Sequence, residues 1–499
     1  MEDKLARMKT LLAEIADLNG AAALLGWDQQ VYMPAGAADA RGNQLGTLGT
    51  IAHEKATAPE LGKLLEELTK TAAGLDPDSD DARLIKVAAR DFDKAMRIPS
   101  DYIVETSKAQ SAGFQAWRQA RQESNFSLFR APLERLVELS RRYVTFFPPA
   151  DHPYDVLLNE FEPRMKTAEV KAIFESLRPQ QVALVKAIGE KPQVEDGFLH
   201  QPFDETKQWD FGVEVISAFG YDWNHGRQDK APHPFTQSMG FGDTRITTRV
   251  APDFFNMMIF GTMHECGHAL YEQGLAPALA RSPLADGASL AVHESQSRMW
   301  ENLVGRSLPF WEHFYPRLKK IFPQLGKVPL EKFYKGINKV QPSMIRVEAD
   351  EATYNLHIML RMEIEIGLVE GTLAVKDLPA IWNARMQEYL GVTPPDDAHG
   401  VLQDVHWSTG LMGYFSTYAL GNLVSVQLWE KIGRDIPDLA DQIRAGKFDG
   451  LLAWLRLNVH RHGRKFEPQE LVQKVTGSKI DPAAYLRYLN QKYGAIYGL

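Results

Sequence analysis

Apolar residues recur every three or four positions over much of the chain, which is the spacing of amphipathic helices. The first stripe consists of Leu5, Met8, Leu11, Leu12, Ile15 and Leu18. Similar stripes cover residues 61–68, 84–95, 102–117 and 133–146, and helical spacing returns from 435 to 499. The pattern therefore predicts a mainly α protein.

Two stretches depart from the helical spacing. Residues 25–34 are rich in aromatic residues and predict a packed turn that interrupts the first helices. Residues 232–236 and 242–250 carry Thr, Ile and Val between turn residues, which predicts two short strands. These strands could offer an edge to an extended peptide, or they could form an ordinary hairpin.

The connections between the helical segments look ordered rather than flexible. Residues 147–166 and 190–206 are rich in Pro and Asp but also contain aromatic and aliphatic residues. The chain shows neither an internal repeat nor a low-complexity tract. We therefore expect one unit over residues 1–499, built from two lobes.

Composition narrows the classes of partner. The 499 residues carry a net charge of −8, which argues against nucleic acid and anionic membrane surfaces as main partners.

The sequence also bears on the location of the protein. A helix that spans a membrane needs about 18 consecutive apolar residues, and no window approaches that length. The single cysteine, Cys266, excludes an intrachain disulfide. The N-terminus lacks the pattern of a signal peptide, so we expect a cytoplasmic protein.

The strongest chemical signal is an HExxH motif at 264–268 inside an apolar, helical run. At about 100° per residue, His264 and His268 lie on one face, where two imidazoles can bind Zn²⁺. Glu265 beside them is suited to be the general base. Cys266 points away from that face. The alternative is a buried helix whose histidines bond to backbone or carboxylates.

A second predicted helix, over 288–305, offers a third ligand. His268 lies about 9 Å from the end of its helix and Glu294 about 12 Å from its own, at about 1.5 Å per residue. Antiparallel packing would bring Glu294 level with the histidines and leave a fourth position for water. His293 and Glu301 are rival donors.

Polar residues near the C-terminal half are candidates for substrate contacts. Arg346 precedes a predicted helix that ends near 369, and it can capture a carboxylate or pair with Glu348 or Asp350. His406, Tyr414 and Tyr418 can each donate a hydrogen bond to an oxyanion, although any one alone is more often a satisfied interior group.

Six motifs together resemble the carboxypeptidase Taq family of zinc metallocarboxypeptidases. They are His233-Pro234-Phe235, Asp243-x-Arg245-x-Thr247, His264-Glu265-x-x-His268, His293-Glu294-Ser295-Gln296, Ile345-Arg346-x-x-Ala349-Asp350 and Gly400-x-x-Gln403-Asp404-x-His406-Trp407. They occur in the family's order, and the likeness runs from Trp27 to Gly463. Two residues depart from the pattern: Ser416 stands where we expect Pro, and Leu457 where we expect Glu.

The resemblance implies a two-lobed helical protein with a deep groove, a small sheet at its wall and usually a homodimeric assembly. It implies removal of single residues from peptide C-termini with broad preference. His264, His268 and Glu294 would bind Zn²⁺, with Co²⁺ or Mn²⁺ as possible replacements, and Glu265 would be the base. Arg346 would lie near the substrate carboxylate, and the substrate-binding candidates from the other motifs are His233, Asp243, Arg245, His406, Tyr414 and Tyr418.

Two other functions remain open from the sequence. An HExxH zinc endopeptidase would use the same metal chemistry and differ only in the groups that select the C-terminus. A helical peptide-binding or scaffold protein could keep the site without turnover.

Overall fold

Amphipathic stripes become helices throughout the computed structural model of the protein, which describes residues 1–499. Each stripe faces a core: Leu61, Leu65 and Leu68, for example, are buried together on one helix. The first nine helices are Glu2–Val31 (α1), Ala38–Ala56 (α2), Pro59–Ala72 (α3), Asp80–Arg97 (α4), Ser100–Gln122 (α5), Ser127–Val144 (α6), Pro153–Leu158 (α7), Thr167–Gly189 (α8) and Glu205–Phe219 (α9).

The predicted turn over residues 25–34 is wrong in its position. Helix α1 continues through Trp27 to Val31 before the chain turns ahead of Pro34. Gly26 alone does not end a helix, because glycine within a helix costs only about 1 kcal/mol relative to alanine. The prediction that this stretch is packed is confirmed at Trp27, which is buried.

The sheet has three strands where the sequence predicted two. They are Gly226–Lys230 (β1), Thr236–Ser238 (β2) and Thr244–Thr248 (β3), in the order β1-β3-β2. Strand β3 pairs in parallel with β1 and antiparallel with β2. The missed strand, β1, reads Gly-Arg-Gln-Asp-Lys and carries no β-branched or aromatic residue. Its strand conformation is imposed by pairing with β3.

Two helices follow the sheet directly and contact each other. They are Phe255–Glu272 (α10) and Leu290–Arg298 (α11), and α11 continues into a π-helix at Met299–Val304. The side chain of Ser289 caps α11 by accepting a hydrogen bond from the Val292 amide. Helix α10 also packs on α9 and β3, so the sheet and the HExxH helix are in direct contact.

The C-terminal half completes the helical body. Its helices are Leu308–Ile321 (α12), Leu330–Ile337 (α13), Glu351–Glu370 (α14), Leu378–Leu390 (α15), Ser416–Asp435 (α16), Leu439–Arg444 (α17), Asp449–Asn458 (α18), Pro468–Thr476 (α19) and Ala483–Tyr497 (α20). Helix α14 is buried on nearly all sides, which is typical of a helix at the centre of a large core.

Two separate hydrophobic cores divide the interior. The larger contains 99 buried residues from α5 to α20. The smaller contains 11, mainly from α1, α3 and α4, and is joined by Leu279 and Leu284 from the loop between α10 and α11. The mainly α fold with a small sheet is thus confirmed. No helix combines the length and apolar character that crossing a membrane requires.

Candidate metal centre and active site

Helices α10 and α11 run antiparallel and lie unusually close together. Tyr271 contacts Ala288 at one end of the pair, while Met263 contacts Gly305 at the other. Between them, a Cβ on Gly267 would lie 2.6 Å from the Gln296 carbonyl oxygen and 2.6 Å from the Ser297 Cα. Glycine at 267 is therefore required for this approach, which brings the neighbouring His268 up to α11.

The predicted ligand residues meet at this crossing. One nitrogen or oxygen each from His264, His268 and Glu294 lies within 4.8 Å of the others. The Glu294 Oε2 atom is 3.6 Å from Nε2 of His264 and 3.4 Å from Nε2 of His268. Ligands about 2.0–2.1 Å from a tetrahedral ion lie about 3.3 Å from one another. The three side chains therefore fit around one divalent ion.

The charge states of Glu294 and His268 suit metal binding. Although burial alone would raise the pKa of Glu294, the charge of Arg298 and the adjacent His264 hold that pKa well below its usual range. Burial lowers the pKa of His268 to about 3, against the effect of Glu294. A carboxylate and a neutral imidazole are the forms that bind a metal.

The side chain of Glu265 is held by the sheet. Its Oε2 atom accepts a hydrogen bond of 2.7 Å from the Thr236 hydroxyl on β2. Burial raises the pKa of the Glu265 carboxyl, and His264 and the Thr236 hydroxyl oppose that rise. A carboxylate with a raised pKa next to a metal site is suited to general-base catalysis.

The two rival donors lie behind the histidines rather than among the three converging ligand atoms. Glu301 accepts a 2.9 Å hydrogen bond from Nδ1 of His264, and His293 lies 2.6 Å from Nδ1 of His268. Cys266 is fully buried and is not part of the group. The alternative was a buried helix whose histidines bond to backbone or to carboxylates. Of these two kinds of partner the structure shows carboxylates: both histidines present Nε2 to Glu294, and Nδ1 of His264 faces Glu301.

Arg346 has a different ion-pair partner from the two that the sequence suggested. Its Nη2 and Nε lie 2.7 and 3.0 Å from Oδ1 of Asp404, and its Nη1 donates to the Tyr354 hydroxyl. Neither Glu348 nor Asp350 pairs with it; Asp350 instead caps α14. Arg361 also pairs with Asp404, at 2.6 Å, and is fully buried. Two guanidinium groups thus share one carboxylate.

The structure brings His406, Tyr414 and Tyr418 together next to this pair of arginines. The Tyr418 hydroxyl lies 3.3 Å from Nε2 of His406 and 3.5 Å from the Tyr414 hydroxyl, and its ring centroid is 5.0 Å from the Arg346 guanidinium carbon. Burial lowers the pKa of His406 to about 4, so the imidazole is neutral near pH 7.

Three other candidates are not in contact with the converging ligands. His233 is exposed in the segment before β2. Asp243 and Arg245 pair with each other at 2.8 Å, and Arg245 lies over the ring of Trp27 at 4.5 Å. The contact between Arg245 on β3 and Trp27 on α1 therefore helps to dock α1 on the sheet.

Three residues beside the predicted ones, Thr236, Arg361 and Asp404, were not predicted from the sequence to have a role. Thr236 follows the His-Pro-Phe motif on a predicted strand, but nothing in the sequence indicates that it contacts Glu265. Arg361 stands within an apolar helical run, and a buried arginine there requires an anionic partner. The sequence therefore contains a signal that Arg361 needs a buried acidic partner, which the structure shows to be Asp404.

Comparison with known proteins agrees with this geometry. The model of the carboxypeptidase Taq (M32) metallopeptidase family matches residues 7–493. Thermostable carboxypeptidase 1 of Thermus thermophilus is 41% identical over 97% of each chain, and carboxypeptidase 1 of Bacillus subtilis is 37% identical over 98% of this chain and 97% of its own. The crystal structure of an M32 carboxypeptidase from Deinococcus radiodurans R1 is 40% identical, covers 100% of both chains and superposes with a TM-score of 0.97. The chain belongs to the carboxypeptidase Taq (M32) metallopeptidase family and is a metallocarboxypeptidase.

Proposed function

We propose that this metallocarboxypeptidase removes single residues from peptide C-termini, with broad preference, using Zn²⁺ held by His264, His268 and Glu294. Glu265 is the general base. The observation that carries the proposal is the convergence of three ligand atoms within 4.8 Å beside a carboxylate whose pKa is raised by burial. Three protein ligands, rather than four, leave a position for water, which is the catalytic arrangement.

The residues around the site divide the chemistry among them. His264, His268 and Glu294 would hold a divalent ion, which would acidify a water molecule and polarise the scissile carbonyl. Glu265 takes the proton of the attacking water and then passes it to the leaving amine. His406, Tyr414 or Tyr418 donates a hydrogen bond to the oxygen on which negative charge develops.

Selection of the C-terminus follows from the charge around Asp404. Arg346 and Arg361 carry two positive charges and share the single carboxylate of Asp404, while His406 is neutral. A substrate carboxylate would add a second negative charge beside these two buried arginines. Arg346 has N–H groups beyond those used by Asp404 and Tyr354 and can donate them to that carboxylate.

The sheet edge is a candidate binding track for the peptide backbone. Strand β2 pairs with β3 on one side only, so its other side is an edge. Thr236 in that strand bonds to Glu265, which places the edge next to the base. An extended substrate can add to such an edge through main-chain hydrogen bonds.

Four further properties are proposed: the metal, the assembly, the domain organisation and the location. The native metal is Zn²⁺, and a site of two imidazoles and one carboxylate can also hold Co²⁺ or Mn²⁺ in its place. The enzyme is a homodimer that acts as one unit over residues 1–499. Its cytoplasmic location fits a chain with a single cysteine. Metal analysis, sedimentation, limited proteolysis and cell fractionation test these in turn.

One digest tests the main proposal. A defined peptide is incubated with the enzyme as isolated, with the chelator-treated enzyme and with that enzyme after addition of Zn²⁺. Mass spectrometry should show a ladder that loses C-terminal residues, that stops with chelator and that returns with zinc. Internal cuts, or a ladder unaffected by complete metal removal, would contradict the proposal.

A further inference from the structure

The imidazole of His293 lies between a proposed metal ligand and a carboxylate. Its Nδ1 is 2.6 Å from Nδ1 of His268, and its Nε2 is 2.8 Å from Oε1 of Glu272. The ring is held in place by its surroundings, since it packs on Tyr271, and a Cβ on Gly287 would lie 2.7 Å from its Cδ2. His293 therefore belongs to a fixed chain of hydrogen bonds rather than to the ligand set.

The protons in this chain can be counted from its far end. An ionised Glu272 can only accept, so Nε2 of His293 carries a proton and donates it. When Nε2 of His268 binds a metal, the one proton of that ring is on Nδ1. The short contact between the two Nδ1 atoms then requires His293 to accept that proton with an Nδ1 that carries none. His268 is then protonated at Nδ1, and its Nε2 presents a lone pair towards Glu294.

The reverse arrangement would be incompatible with metal binding. If His293 donated from Nδ1, His268 would accept at its own Nδ1 and would carry its proton at Nε2. The lone pair facing Glu294 would then be lost, and a metal needs that lone pair. The direction of the chain from His268 to Glu272 is thus the one that creates a ligand.

We propose that His293, backed by Glu272, is a positioning residue that sets the tautomer and the orientation of the His268 ligand. The inference rests on the proposed function, because it takes His268 to be a metal ligand. The other histidine is oriented differently: His264 donates directly to the Glu301 carboxylate. The His268 chain also joins α10, which carries His268 and Glu272, to α11, which carries His293.

The test is the affinity of the metal-free enzyme for Zn²⁺, measured by competition with a chromophoric chelator. His293→Phe keeps a ring but removes the acceptor, so we expect affinity to fall about 10- to 100-fold. Glu272→Ala should weaken binding less, because His293 can still accept. The double variant should bind about as tightly as His293→Phe alone, since both changes interrupt the same chain.

Further measurements separate this role from general damage. The absorption spectrum of the Co²⁺ form should shift in His293→Phe, because the geometry of the His268 ligand changes. His293→Asn, whose Oδ1 can still accept from His268, should recover part of the affinity. Circular dichroism and thermal unfolding of each metal-free variant establish that it is folded.

The outcomes distinguish the inference from the proposed function. If His268→Ala binds zinc as the wild type does, the proposed metal site itself is wrong. If His268→Ala loses affinity but folded His293→Phe stays within twofold of wild type, only the positioning role is wrong. Independent effects that multiply in the double variant would also overturn it.

Discussion

The Thr236 hydroxyl on β2 lies 2.7 Å from Oε2 of Glu265 and 3.0 Å from the Glu265 backbone carbonyl oxygen. The hydroxyl has one proton, so it can donate to only one of these oxygens at a time. In either case it connects the edge of the sheet to the residue proposed as the base. The position of the Glu265 carboxylate thus depends on a strand that lies 29 residues earlier in the chain.

Replacing Thr236 with Val removes this hydrogen bond and keeps the shape of the side chain. We expect kcat to fall about 10- to 100-fold with KM little changed, because a misplaced base slows proton transfer without weakening peptide binding. Thr236→Ser should restore most of the activity. Steady-state kinetics on an N-blocked dipeptide measures both constants, and equal rates for Val and Thr would show that the contact is not used.

Glu265→Gln should separate metal binding from catalysis. The amide cannot take a proton from water, so we expect kcat to fall about 10²- to 10⁴-fold while metal content stays unchanged. The control is Glu331→Gln on α13, where 78% of the side chain is exposed and the same charge is removed. Near-normal turnover by a metal-loaded Glu265→Gln enzyme would refute the assignment of the base.

Arg346→Ala should affect substrates according to their C-terminus. If Arg346 binds the terminal carboxylate, we expect KM to rise at least about 10-fold for free peptides, since charge-assisted hydrogen bonds contribute about 1.5–3 kcal/mol. Arg346→Lys, which keeps the charge but not the planar fork, should lie between wild type and Ala.

Amidated peptides provide the control for Arg346. Their cleavage is expected to be slow in the wild type and no slower in Arg346→Ala. An equal loss on free and amidated peptides would indicate that Arg346 is needed only for its buried ion pair with Asp404.

Glu162 should make the stability of the protein depend on pH. This fully buried carboxyl accepts a hydrogen bond of 2.6 Å from the Ala291 amide at the start of α11, and its other oxygen has no partner. Burial raises the pKa of Glu162 from 4.5 to about 8. Between these values the folded state binds a proton that the unfolded state does not, so stability falls as pH rises.

Glu162→Gln imitates the protonated carboxyl and removes this dependence. The wild type should lose roughly 1–4 kcal/mol from this group between pH 5 and pH 8. In Glu162→Gln, the free energy of unfolding should not show this contribution to its fall over the same pH range. Denaturant unfolding of both proteins at several pH values measures the difference, and parallel pH profiles would show that Glu162 is ionised throughout.

Local periodicity was enough to predict that three side chains of the candidate site converge. Because i and i+4 share a helix face, the spacing of His264 and His268 implied a common ligand direction. Counting residues back to the loop between α10 and α11 placed Glu294 opposite them, and the structure has this arrangement. The helical character of the chain likewise followed from apolar spacing alone, because amphipathic helices carry their own signal.

Tertiary structure decided every contact between segments that are distant in sequence. Strand β1 has no β propensity and exists because β3 pairs with it. The partner of Arg346 is Asp404, 58 residues away, rather than the acidic neighbours in its own motif, and His293 stands behind His268 rather than beside it. Such pairings depend on how buried charges and donors are satisfied once the helices pack, and chain spacing carries no information about that.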